Sequence, residues 1–188
     1  MDIMIDLETM GLQPSAPIMA IGACVVGRDM DLYYYARTEP EGVAEFGTIA
    51  WWLKQAQENP EAATEIIKAI EEGEDLTGCL YGLNDFMNRV SMSEQVHTDD
   101  IRVWSKGANF DIVMLEAAMT KRNVNWKWNY KNVRCFRTID AHFGKDVPPP
   151  MELDGTGVAH QALDDARWQA RKLDAIIQAN MDNPHFKL

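Results

Sequence analysis

Ile3-Met4-Ile5-Asp6-Leu7-Glu8-Thr9-Met10-Gly11 is the most informative stretch of the chain: a short apolar run ends in two acids spaced by one residue, followed by a turn glycine. Side chains alternate faces along a strand, so Asp6 and Glu8 point the same way while the backbone stays extended. Two carboxylates sharing a buried strand end raise each other's pKa and are costly unless cations compensate. Hard divalent ions with oxygen ligands do that well, so a magnesium or manganese site is the first expectation. An edge strand ending in two solvated acids would read the same way, and the remaining residues have to separate the two.

Pro14 and Pro17 mark a loop, and Ile18 to Val26 is an apolar run suited to a buried strand. Arg28-Asp29 suits a turn, and Asp31 to Arg37, with Tyr33, Tyr34 and Tyr35, suits a third strand, giving an antiparallel meander. Thr48 is placed to cap a helix carrying Trp51 and Trp52, only one of which can join the core, and Pro60 opens a second helix that stops near Gly73. Leu76, Leu80, Leu83, Met87 and Val90 recur at helical spacing, which predicts an amphipathic helix weakened slightly by Gly78 and Gly82. A polar loop from Ser91 to Asp100 then leads to a short central strand, Ile101 to Trp104. Gly107-Ala108-Asn109 turns into a helix from Phe110 to Arg122, with Asn109 as its cap and Val113, Met114 and Ala117 or Ala118 inward. A strand at Val133 to Phe136, a helical turn at Thr138 to Phe143, an irregular loop from Lys145 to Gly157 and a final helix from His160 to Ala179 complete the chain. Strands first and alternation afterwards predict an α/β fold: a mixed sheet of about five strands, an antiparallel meander plus parallel strands, flanked by helices.

The chain's 188 residues suit one domain spanning 1–188, with 46% apolar residues to fill its core. No run approaches the roughly 20 apolar residues that span a bilayer, and the first strand begins almost at Met1, so no membrane partner and a cytoplasmic location are expected. Cys24, Cys79 and Cys135 are scattered and odd in number, the pattern of reduced thiols. A net charge of -11 excludes a protein that coats nucleic acid through a broad basic surface, yet allows an enzyme that grips one strand end.

Asp111 falls in the first turn of a helix after a strand, where a carboxylate also complements the helix dipole. In the last helix Ala162, Leu163, Ala166, Ala170, Leu173 and Ile177 define the buried stripe. Asp165 lies on the flank of that stripe and can face a cleft, whereas Asp164 lies opposite and reads as solvated surface. His160 follows a Gly155-Thr156-Gly157 loop that lets it swing towards a shared site; alone it reads equally as a cap or surface group.

Asp6-x-Glu8 with Thr9-Met10-Gly11, then Gly107-Ala108-Asn109-Phe110-Asp111, then His160-x-Ala162-x-x-Asp165 resemble the three motifs of the DEDDh 3′–5′ exonucleases. That RNase H-like family includes polymerase proofreading subunits, RNase T and oligoribonuclease. The resemblance spans nearly the whole chain and looks strongest to small stand-alone exonucleases of phages and prophages, among them a group of exoribonucleases. It implies two magnesium or manganese ions. Asp6 would bridge them, Glu8 and Asp165 would ligate the ion holding the attacking water, Asp111 would support the other, and His160 would be the general base. Thr9, Met10 and Gly11 correspond to terminal-nucleotide contacts, joined by Asn109 and by Phe110, which suits base stacking and core packing equally. Arg134 and Arg137 are candidate phosphate contacts. The implied partner is the 3′ end of single-stranded RNA or DNA, and relatives that dimerise make a homodimer compatible with the exposed tryptophan. A phosphoaspartate hydrolase would require Asp6 as nucleophile and a lysine before a late acidic pair, and late acids that follow His160 on a helix fit that pattern poorly. A non-catalytic nucleic-acid-binding module would not need the complete acid and histidine set.

Overall fold

The first strand, β1 (Asp2–Thr9), buries Ile3, Ile5 and Leu7 on one face and Met4 on the other. Both faces of the sheet are therefore covered, and the period of two puts Asp6 and Glu8 on the Met4 side. This computed structural model describes residues 1–28, 32–150 and 160–188. β2 (Ile18–Val25) and β3 (Tyr33–Arg37) follow antiparallel, while β4 (Arg102–Ser105) and β5 (Val133–Cys135) run parallel, and among the described residues the order is β3-β2-β1-β4-β5. The mixed sheet flanked by helices agrees with the expectation. Asp29 and Asp31 of the expected turn and third strand lie outside the described residues, as does the loop containing Gly155 and Gly157.

The helices are α1 (Phe46–Glu58), α2 (Pro60–Glu72), α3 (Leu76–Glu94), α4 (Asp111–Lys121), α5 (Phe136–Phe143) and α6 (Ala162–Ala179). α3 covers the Ile3–Ile5–Leu7 face with Leu80, Leu83, Phe86 and Met87, each adding roughly 1.5–3 kcal/mol on full burial. Gly82, expected to weaken the helix, lies close to β3: a Cβ there would stand 2.9 Å from the Tyr34 hydroxyl and the ring would have to shift. α6 covers the opposite face, where Ala166, Ala170, Leu173 and Ile176 pack with Met4, Trp104 and Phe136.

Several boundaries differ from those the sequence predicts. α1 begins at Phe46, after Glu45, so Thr48 is not its cap. α3 runs on to Glu94, because Gln95 closes it in a left-handed conformation without needing a glycine. Phe110, not Asn109, stands at the N-cap of α4, and no side chain caps that end. Val113 is 40% exposed while Ile112, Leu115 and Met119 are buried, since α4 is rotated to put Asp111 inward. The single turn expected at Thr138 is the eight-residue α5. α6 starts at Ala162, with His160 outside it at φ 67, and its buried stripe ends at Ile176 instead of Ile177.

Candidate active site

Asp6 and Glu8 stand opposite Gly22 and Ala20 of β2. Small residues at those two positions let another element approach the strand backbone, and α6 does so: a Cβ on Gly22 would stand 2.3 Å from the carbonyl carbon of Ala162. With its first turn pressed on β2, α6 brings Asp165 to the carboxylates of β1 and, one turn later, Gln169, whose Nε2 donates to Asp6 Oδ1 at 2.7 Å. Asp111 arrives from the other side. It opens α4 beyond the carboxyl end of β4, the parallel neighbour of β1, which is where open α/β sheets place their ligands.

His160 is fixed at both ends of the residue. Its backbone N–H donates to Asp165 Oδ2 at 3.2 Å, and its ring packs nearly perpendicular to Trp51 and Trp52, with centroids 5.0 and 5.9 Å away. Trp52 is buried and donates from Nε1 to the Thr9 carbonyl at 3.0 Å, while Trp51 remains 42% exposed. One tryptophan thus joins the core, as the 100° step between neighbours requires, and both face the histidine. No local sequence signal reveals that contact, which depends on how α1 lies across the end of β1.

The acids perturb one another. Burial, then Asp111 and Asp165, raise Asp6 well above the ordinary carboxylate range; burial, then Asp6, Asp165 and Asp111, do the same to Glu8. Asp111, only 4% exposed, is pushed up to about 6 by burial, with the Ser105 hydroxyl and nearby amides opposing. Asp165 is also raised by burial, against the pull of His160. One ligand atom each from Glu8, His160 and Asp165 can be chosen so that all lie within 4.8 Å of one another. Mutually repelling buried carboxylates with one imidazole fit a hard divalent cation by donor type and by charge.

A cleft of about 420 Å³ exposes Asp6, Glu8, Asp111, Asp165 and His160, and Lys106, Asn109, Phe110 and Arg137 complete its wall. Next to it lies a more apolar cavity of about 450 Å³ lined by Trp51, Trp52, Thr9, Leu12 and Phe110, with Glu45 and Thr48. The five motif residues, Asn109 and Phe110 therefore share the cleft, and Thr9 faces the adjoining cavity. Met10 lines neither. Gly11 is buried in the turn, where a Cβ would stand 2.7 Å from that of Ala16; beyond it the Leu12 and Gln13 amides donate to Glu45 Oε1. Arg137 reaches the cleft, whereas Arg134 donates to the Lys131 and Val133 carbonyls. Asp164 is half-buried and 3.8 Å from Arg167 rather than fully solvated.

Lys106 and Gln169 join the site without belonging to any of the three motifs, and both carry a sequence signal. Lys106 is a cation directly before the motif ending in Asp111, and its charge is felt by Asp6 and Asp165. Gln169 is a polar residue inside the apolar stripe of α6, four residues after Asp165.

A family model described as the 3′–5′ exoribonuclease Rv2179c-like domain matches residues 1–177. Among solved structures, the nuclease domain of 3′hExo, a DEDDh family member bound to rAMP, is similar at 13% identity with a TM-score of 0.60, covering 99% of this chain and 94% of that one. Cell-death related nuclease 4 is similar at 11% identity and a TM-score of 0.55, over 97% of this chain and 64% of that one. Exonuclease X, in complex with 5′ overhanging duplex DNA, gives 15% identity and a TM-score of 0.53, over 96% and 93%. At these identities the structural likenesses speak for the fold. No curated protein matches the sequence.

Proposed function

The chain belongs to the family of Rv2179c-like 3′–5′ exoribonuclease domains, and from that membership we propose that its residues form one domain that shortens single-stranded RNA from the 3′ end, releasing nucleoside 5′-monophosphates. It is a 3′–5′ exonuclease of the DEDDh type. The observation that carries the finer reading is the convergence of four carboxylates and one histidine on a single cleft. Asp6, Glu8, Asp111 and Asp165 would hold two magnesium or manganese ions, which when bound lower the pKa of water and stabilise charge on the attacking and leaving oxygens.

The chain's own groups do the rest. His160 takes the proton of the attacking water, oriented by its edge contacts with Trp51 and Trp52 and by the backbone bond to Asp165. The bond from phosphorus to the 3′ oxygen breaks, so the phosphate leaves on the 5′ carbon of the terminal nucleotide and the shortened strand keeps a 3′-hydroxyl. Phe110 and Trp51 offer apolar faces to the departing base, and Lys106 and Arg137 offer positive charge to phosphate. Thr9, at the adjoining cavity, and Asn109, in the cleft wall, would contact the terminal nucleotide, with Met10 and Gly11 completing the turn that carries Thr9. The preference for RNA rests on the family description; the 2′-hydroxyl is the group that would set it.

Matched 5′-labelled single-stranded RNA and DNA, incubated with manganese, test the substrate. The expected outcome is a stepwise ladder shortened from the 3′ end, formed faster on RNA, with monophosphates as product. Equal or faster shortening of DNA would overturn the RNA preference.

A further inference from the structure

Gln169 is an amide placed where an apolar residue would be expected. It is 3% exposed on the face of α6 that carries Ala166, Ala170 and Leu173, and burying an amide is costly unless it is hydrogen-bonded. Its Nε2 spends one donor on Asp6 Oδ1 at 2.7 Å, and its Oε1 is buried with no hydrogen-bond partner among the described residues. Among the described residues the hydrogen bond to Asp6 is the one its side chain makes. A leucine would fill similar space without the desolvation cost.

We propose that Gln169 is a positioning residue of the metal centre: its N–H group pins Asp6 Oδ1 and so fixes the orientation of that carboxylate before a cation binds. Nε2 is a donor only, so in this contact Asp6 Oδ1 is the acceptor and its lone pair is fixed in direction. Asp165 and Gln169 lie one turn apart on α6, so a single helix supplies one acid directly and orients a second from behind. The inference rests on the reading of Asp6 as a metal ligand. Such outer contacts fix the rotamer of a ligating carboxylate before the ion arrives.

The test compares wild type, Gln169→Leu, Gln169→Met and Asp6→Asn in the full chain, measuring manganese binding by titration calorimetry, thermal unfolding without metal, and kcat and KM for a single-stranded oligonucleotide. Gln169→Leu is expected to unfold at or above the wild-type temperature, to bind manganese about 10–100-fold more weakly, and to lose kcat with KM little changed. Excess manganese should restore its kcat, which a damaged core would not permit. Wild-type affinity and kcat in Gln169→Leu, with binding lost in Asp6→Asn, would overturn the role of Gln169 alone. Wild-type binding in Asp6→Asn would instead overturn the reading of Asp6. Failure of both the leucine and the methionine variants to fold would also overturn the proposal, because the amide would then serve the core.

Discussion

Asp6 is held at the meeting point of three elements, with burial and then Asp111 and Asp165 raising its pKa and the Gln169 hydrogen bond countering them. Repulsion of this kind is useful with cations present and harmful without them. Asp6→Asn is therefore expected to lower hydrolysis by about a thousandfold or more, several kcal/mol of lost cation-assisted stabilisation, while raising the metal-free unfolding temperature. Parallel rate and melting measurements check both halves. The pH dependence has a definite sign. Asp111 titrates near 3.8 when unfolded and about 6 in the fold, so the folded chain binds the proton more tightly. Metal-free stability from this group should then be highest below about pH 4 and fall as the pH rises towards about 6, by at most about 1.4 kcal/mol for each pH unit crossed. Melting curves in chelator should show that decline, and saturating magnesium should flatten it. Asp164→Ala removes a half-buried carboxylate that stands 3.8 Å from Arg167 and does not line the cleft, so kcat should stay within about twofold even if the melting temperature falls slightly.

α6 positions more of the cleft than any motif taken alone. Its first turn lies on Gly22, so Gly22→Ala forces the helix outward, carrying Asp165 and Gln169 with it. The variant should lose about 1–3 kcal/mol of stability and a larger share of activity than its melting temperature explains. Activity assayed well below the melting point separates the two effects; unchanged activity would mean that α6 can shift without moving its acids. α1 acts on His160 in the same way, and Trp51→Ala should lower kcat about tenfold, comparable to the loss of an orienting contact. Much of this is legible in the sequence. The period of two puts Asp6 and Glu8 on one face, and the 3.6 period of α6 separates Asp165 from Asp164. The start of α1, the cap of α4 and the tryptophan cage are not legible, because each depends on which neighbour a helix meets. Gln169 is in plain view as a break in an apolar stripe, and only the distance to Asp6 gives that break a purpose.

Across the whole molecule, acids outnumber bases by eleven, yet Lys106 and Arg137 both open onto the acidic cleft. Binding through so few cations should depend weakly on salt: two phosphate contacts give a slope of about -1.4 in log affinity against log salt for a single strand. Anisotropy titrations with the His160→Ala protein, which would hold the strand uncut, measure that slope. Changing Lys106 and Arg137 together to methionine should bring it near zero, and a steep slope in the wild type would reveal a basic surface elsewhere. None of the helices described is long and apolar enough to cross a membrane.

The decisive experiment is hydrolysis of a 5′-labelled single-stranded RNA with manganese by wild type, Asp165→Ala and His160→Ala, with circular dichroism confirming that each is folded. A ladder receding from the 3′ end in the wild type, and its absence in both folded variants, is the predicted result. Wild-type rates in either variant would contradict a cleft in which four carboxylates and one histidine carry the reaction.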